Sequence, residues 1–238
     1  MTDGIADSRR WTVGAKGRRR IMVAISLLGS FWGSAVAAPQ LLAFPYRAQI
    51  GGTTVYSETP FAPRDMQRIL ARSDALTRKT GVTTPAGTRI FLTDGGLRWN
   101  MLALSSRRAF AFARPITTIV SDAVVFNRAD PAKDMIFNGS ATGRRRKLSG
   151  VIAHERTHII MERAIGLVRA LSLPVWQREG YADFIAQESG LTAAEYARLK
   201  GSGSHHPGIA YYEGRQRIEA MAKTKGGTII ALFPPATP

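Results

Sequence analysis

The chain has no cysteine, which excludes a disulfide framework, a thiol nucleophile and any cysteine-ligated zinc or iron–sulfur site, and leaves the redox compartment open. Histidine is scarce, at 4 residues in 238. Acids are few as well: 17 Asp and Glu face 33 Lys and Arg, a formal charge of +16 and an isoelectric point near 11.1. Internal repeats are absent. Neither glycine (23) nor proline (12) is abundant enough for a collagenous or low-complexity chain. What remains is ordinary globular material, 45% hydrophobic and 21% charged, in one generous domain or two small ones.

Such a positive charge admits a nucleic acid, an anionic membrane surface or an acidic substrate as partner. Its distribution argues against the first. The bases are scattered, the densest run being Arg144, Arg145, Arg146 and Lys147, with none of the interleaved aromatics on which bases stack. Nucleic acid is therefore not expected, whereas an anionic envelope surface is compatible with the run at 144–147.

Residues 1–20 hold Arg9, Arg10, Lys16, Arg18, Arg19 and Arg20 against Asp3 and Asp7, and lead into an uncharged stretch of 17 residues, Ile21 to Ala37. That stretch ends Ser34-Ala35-Val36-Ala37-Ala38-Pro39, with small residues where a signal peptidase reads. The pattern predicts a secretory leader over 1–37, cleaved after Ala37. Left in place, 21–37 would act as an anchor with Arg18–Arg20 on the cytoplasmic side. Either way residues 38–238 are expected outside the cytoplasm, periplasmic or secreted. They read as a single α+β domain: a mixed sheet with a helix over 38–143, then a helical part over 144–238.

Within the first part, Gly51-Gly52 between two β-prone runs signals a hairpin from Arg47 to Ser57. Apolar residues at Met66, Ile69, Leu70 and Leu76 give an amphipathic helix from Pro63 to Thr80, stopped by Gly81. Strands are expected over 89–93, 109–114 and 116–126, and a short helix over 97–104. The polar stretch from Asn127 to Gly143 reads as a loop.

After it, Lys147 to Ser172 keeps a helical period and encloses His154-Glu155-Arg156-Thr157-His158. Positions four apart share a helix face, so both imidazoles can reach one zinc ion, and Glu155 is turned only about 100° from His154, close enough to take a proton from water there. The apolar flanks, Val151 to Ala153 and Ile159 to Met161, would bury this segment. Two buried histidines beside a buried glutamate need a compensating partner, and a zinc ion is one.

Zinc takes a third protein ligand. Glu162 lies eight residues from His154, about 12 Å along the axis, too far for one centre. Glu179, 21 residues beyond His158 near the start of a second helix at Pro174, is the better candidate.

The pairing of HERTH with Glu179 inside Trp176-Gln-Arg-Glu-Gly-Tyr-Ala-Asp183 resembles the gluzincin metallopeptidases, in particular aminopeptidase-type and related peptidase MA-like domains. The resemblance covers Leu148 to about Phe233, a third of the chain, and implies a zincin-like fold. It implies His154, His158 and Glu179 as zinc ligands and Glu155 as general base. Asp183, one turn after Glu179, corresponds to an acid that in some gluzincins accepts a hydrogen bond from a zinc-bound histidine. Tyr211-Tyr212-Glu213-Gly214 resembles the segment carrying a transition-state tyrosine; matching the glycine three residues on selects Tyr211 as the oxyanion donor, with Tyr212 nearly as good a fit because the spacing can be read either way. His205 and His206, just upstream, are further candidates, since some gluzincins use a histidine.

The implied activity is zinc-dependent hydrolysis of a peptide or protein substrate. A strand within Ile116 to Phe126 is expected to offer the edge along which the substrate pairs. The exopeptidase signature G-x-M-E-N is missing, so an endopeptidase is the expectation. Its rival is a catalytically silent zincin-like binding protein of the cell envelope that uses its basic surface. Oligomeric state and cleavage preference are not legible.

Overall fold

The computed structural model describes residues 15–83, 87–113, 122–138 and 145–234. The fold is α+β with a mixed sheet. A first helix, α1 (Ala15–Ala37), covers 15–37 of the expected leader, whose residues 1–14 lie outside those described. Its last turn is seated on the body: Ala35 and Val36 are buried, and Trp32 Nε1 donates to the Met101 carbonyl at 3.1 Å. Met22, Val23, Ile25, Leu27 and Phe31 face out. Among the described residues no helix is long and apolar enough to cross a membrane.

The hairpin forms as expected. β1 (Tyr46–Ile50) and β2 (Thr53–Ser57) pair antiparallel across Gly51-Gly52, with Gly51 at φ +56°, a conformation that costs glycine nothing. A crossover through α2 (Pro63–Thr77) brings β3 (Arg89–Leu92) parallel to β2. Then come α3 (Leu97–Ala103), β4 (Ala111–Ala113) and β5 (Ala123–Phe126). The sheet order is β1-β2-β3-β5-β4, with β5 parallel to β3 and antiparallel to β4.

Alternation along the central strands fills both faces of this sheet. Ile90, Leu92, Val124 and Phe126 meet α2 and the next long helix. Phe91 and Val125 turn the other way onto Trp99 and Leu102 of α3, with Phe91 stacked on Tyr56 at 4.7 Å between ring centroids.

Two expectations are corrected here. The stretch from Asn127 to Gly143 is not all loop: β6 (Arg128–Asp130) and β7 (Met135–Phe137) form a second, antiparallel sheet with β8 (Arg145–Lys147). Burial of Ile136 in the main core supplies the driving force that polar neighbours concealed. Residues 139–144 lie outside the described residues, Arg144 with them. The expected strand over 116–126 is described only from Ala123, and β5 lies between β3 and β4, so it has no free edge. The edge strands of the sheet are β1 and β4.

The second part is helical: α4 (Leu148–Ile165), α5 (Leu167–Ser172), α6 (Val175–Ala186), α7 (Ala193–Gly201), α8 (Gly208–Lys225) and α9 (Ile229–Leu232). The helix expected over 147–172 is broken at Gly166, whose φ of +86° leaves the helical region. Pro174 stands at the N-cap of α6, just ahead of the first turn where it was expected.

Two carboxylates anchor the start of α4. Asp134 accepts from the Ser149 backbone N–H and hydroxyl, each at 2.7 Å. Glu188 reaches the Lys147 backbone N–H at 3.4 Å through space left by Gly150, where a β-carbon would strike its carboxylate. Both place negative charge at a helix N-terminus. Farther along, the buried Arg156 donates to Asp74 of α2 at 2.6 Å and to Thr53 of β2 at 2.9 Å. The HExxH helix is thereby fixed to helix and sheet at once.

Candidate metal centre

His154 and His158 occupy one face of α4, and Glu179 approaches them from α6. His154 Nε2 and His158 Nε2 are 3.3 Å apart, and Glu179 Oε2 lies 3.4 Å from the first and 3.6 Å from the second. Ligands about 2.0–2.2 Å from a tetrahedral zinc are separated by ~3.3–3.6 Å. Three lone-pair donors at that spacing fit the ion, and two imidazole nitrogens converging on one carboxylate oxygen have no better common partner among protein groups. These are the residues among those described whose donor atoms gather closely enough to hold a metal.

Around the centre, the second ring nitrogen of His154 is 2.9 Å from Asp183 Oδ1, and Asp183 is wholly buried. That contact makes Nδ1 the donor and leaves Nε2 free to ligate. Arg178 Nε donates to the other Glu179 oxygen at 3.2 Å. Electrostatics follow from burial and neighbours. Burial alone would lower the His154 pKa, but hydrogen bonds to Asp183 and Glu179 outweigh it and raise it to about 10 when protein groups alone surround the ring. The Glu179 carboxyl, although burial would raise it, is held far below the usual range by the two histidines. Glu155 goes the other way. Burial lifts its carboxyl above the ordinary value, against the pull of His154 and His158 and of a backbone hydrogen bond from Ala113. A carboxylate of raised proton affinity is suited to a general base.

These groups open into a cavity of about 950 Å³. Glu155, His154, His158 and Glu179 form its floor, β4 with Phe110 forms one wall, and Met161, Ala170 and Leu171 give it apolar surface. Of the four oxyanion candidates, Tyr211 and His206 line this cavity and Tyr212 and His205 do not. Tyr211 is half-buried, and burial together with the charge of Glu179 pushes its hydroxyl up to about 12, so it remains a donor. Tyr212 instead stacks on Tyr196 of α7, 4.4 Å between centroids, while His205 is exposed and His206 accepts from the Gly208 N–H.

Why Tyr211 comes so near to Glu179 is a matter of two glycines. A methyl group at Gly180 would run into the Gly214 backbone, and one at Gly214 into the Trp176 carbonyl. Each glycine belongs to its own motif, and together they let α6 and α8 touch backbone to backbone.

The role of Arg146 is not legible in the sequence. The 144–147 run reads there as surface, yet in β8 only Arg145 and Lys147 are exposed. Arg146 turns inward to Asp183 and Glu188 at 3.3 and 3.2 Å. The period-two alternation of a strand was the available signal. The basic run is therefore split between surface and site. No family model, curated protein or solved structure matches the chain.

Proposed function

We propose that this chain is a zinc-dependent metallopeptidase of gluzincin type, an exported hydrolase that cleaves internal peptide bonds. The observation that carries the reading is the meeting of His154, His158 and Glu179 at tetrahedral spacing, beside Glu155, on the floor of a peptide-sized cavity. The zincin-like assignment rests on the same helix pair and on the mixed sheet packed against it. Export rests on the pattern of residues 1–37.

His154, His158 and Glu179 would hold the ion, which supplies a Lewis acid that polarises a carbonyl and acidifies water. The chain's own groups do the rest. Glu155 takes the proton from the attacking water and returns it to the leaving amine, while Asp183 keeps His154 in the ligating tautomer. Tyr211 donates to the oxygen on which charge develops. The substrate backbone lies along the outer edge of β4, which holds the role expected for 116–126 and whose Ala113 also orients Glu155.

The test is the metal content of the purified full chain and of His158→Ala and Glu179→Ala, followed by a peptide-library digest. About one zinc per chain, lost in both variants, together with internal cleavage, supports the reading. A folded wild-type chain that takes up no zinc ends it.

A further inference from the structure

The metal centre has a second ring of contacts that its motif does not contain. We propose that Arg146 is a positioning residue for the metal centre, holding Asp183, and through it His154, in the geometry that ligates zinc. The proposal rests on the metal-site reading above.

Consider what Asp183 requires. Its carboxylate is wholly buried; Oδ1 accepts from His154 at 2.9 Å and from Arg146 Nη2 at 3.3 Å, and Oδ2 accepts from the Ser189 hydroxyl at 2.7 Å. A buried charge without a counter-charge is strongly unfavourable. Two cationic partners reach it among the described residues, His154 and Arg146. A histidine that ligates a metal is neutral. Once zinc is bound, Arg146 is therefore the one direct protein counter-charge left to Asp183.

Arg146 is itself held on every side. Its Nε donates to Glu188 Oε1 at 3.2 Å, Nη2 reaches the Glu188 carbonyl at 3.4 Å, and the guanidinium lies 5.8 Å from the centre of the Phe110 ring on the cavity wall. Its side chain is only 10% exposed. Gln187, at φ +58°, turns the chain after α6 so that Glu188 and Ser189 fold back toward Arg146 and Asp183. A planar fork pinned in this way fixes a carboxylate's direction as well as its charge. Among the described residues the polar partners of Arg146 are Asp183 and Glu188, neither of them a metal ligand, so it acts through Asp183.

The experiment is a zinc titration against a chromophoric chelator on the full chain, with Arg146→Met, Asp183→Asn and the double variant, each checked for folding by circular dichroism. Loss of a supporting contact of this kind weakens metal affinity about 10–100-fold, and that is the expected result for Arg146→Met. Because the effect runs through Asp183, Arg146→Met should add nothing in an Asp183→Asn background, a coupling that an independent structural role does not produce. Wild-type affinity in a folded Arg146→Met, or additive losses in the double variant, overturns the proposal. If Arg146→Met alone fails to fold, removal of the uncompensated charge by Asp183→Asn should restore folding; failure of the double variant where Asp183→Asn folds also overturns it. A wild-type chain that binds no zinc would sink the metal-site reading itself, a separate outcome.

Discussion

At the scale of single residues, Glu155 and Tyr211 can be separated from the ligands by what each change leaves intact. Glu155→Gln keeps shape and hydrogen bonding but removes the base, so peptide hydrolysis should fall by about 10²–10⁴ while zinc content stays at wild type. Loss of zinc in that variant would show Glu155 to be structural. Tyr211→Phe removes a donor to the oxyanion and should lower kcat about 10²–10³-fold with little change in KM, whereas Tyr212→Phe should leave kcat as it was. The reverse ranking would reassign the donor. A pH dependence follows from His154. Its pKa, raised to about 10 by Asp183 and Glu179 against the effect of burial, means that a zinc ion binding at neutral pH would displace a proton from the ring. Apparent zinc affinity should then rise with pH and fall as pH drops below about 10, with close to one proton released per ion near pH 7.5. Calorimetry in buffers of differing ionisation enthalpy reads this directly, and pH-independent affinity would contradict it.

Among the elements, those with a clear period were legible and those held by distant partners were not. The hairpin at Gly51-Gly52, α2 and the HExxH helix could be read because glycine, apolar spacing and the motif all agree locally. β6 and β7 could not, since a three-residue strand among Asp, Asn and Lys has no period to show and exists because β8 pairs with it and Ile136 is buried. The break at Gly166 was hidden by a helical pattern that continues on both sides. In the site, His154, Glu155 and His158 were legible from spacing alone, and Glu179 from spacing and resemblance. Arg146 was masked by its basic neighbours, and Tyr211 stood only narrowly ahead of Tyr212, through the glycine three residues on, until the direction of α8 separated them. The contact of α6 with α8 makes its own prediction. Gly180→Ala forces the two helices apart and should cost about 1–3 kcal/mol, read as a lower melting temperature, together with a drop in turnover. Gly201→Ala, at the end of α7 with open space around it, is the control and should be neutral or stabilising by about 0.5–1 kcal/mol. Equal effects at the two glycines would refute the close-packing account.

For the whole molecule, the ion would tie α4 to α6 across the 20 residues between His158 and Glu179. A ligand that binds only the folded chain stabilises it by ~2.7 kcal/mol at a hundred times Kd, so chelation should lower the melting temperature by ~5–10 °C in a chain of this size. A melting curve indifferent to chelator would mean that the three residues hold nothing. The charge of +16 is not moderated by burial: among the described residues the buried charged side chains are three acids, Glu155, Glu179 and Asp183, and one base, Arg156, so the surface is at least as basic as composition suggests.

The touching backbones of Gly180 and Gly214 also bear on motion. Most helix pairs slide by repacking a layer of side chains between them. Here, at the crossing point of Gly180 and Gly214, the backbones meet with no room for such a layer, so α6 and α8 are expected to move as one piece carrying Glu179 and Tyr211 together. Any breathing that admits a substrate must come from the other walls of the cavity: β4 at the sheet edge, and α5, which hangs from the backbone turn at Gly166.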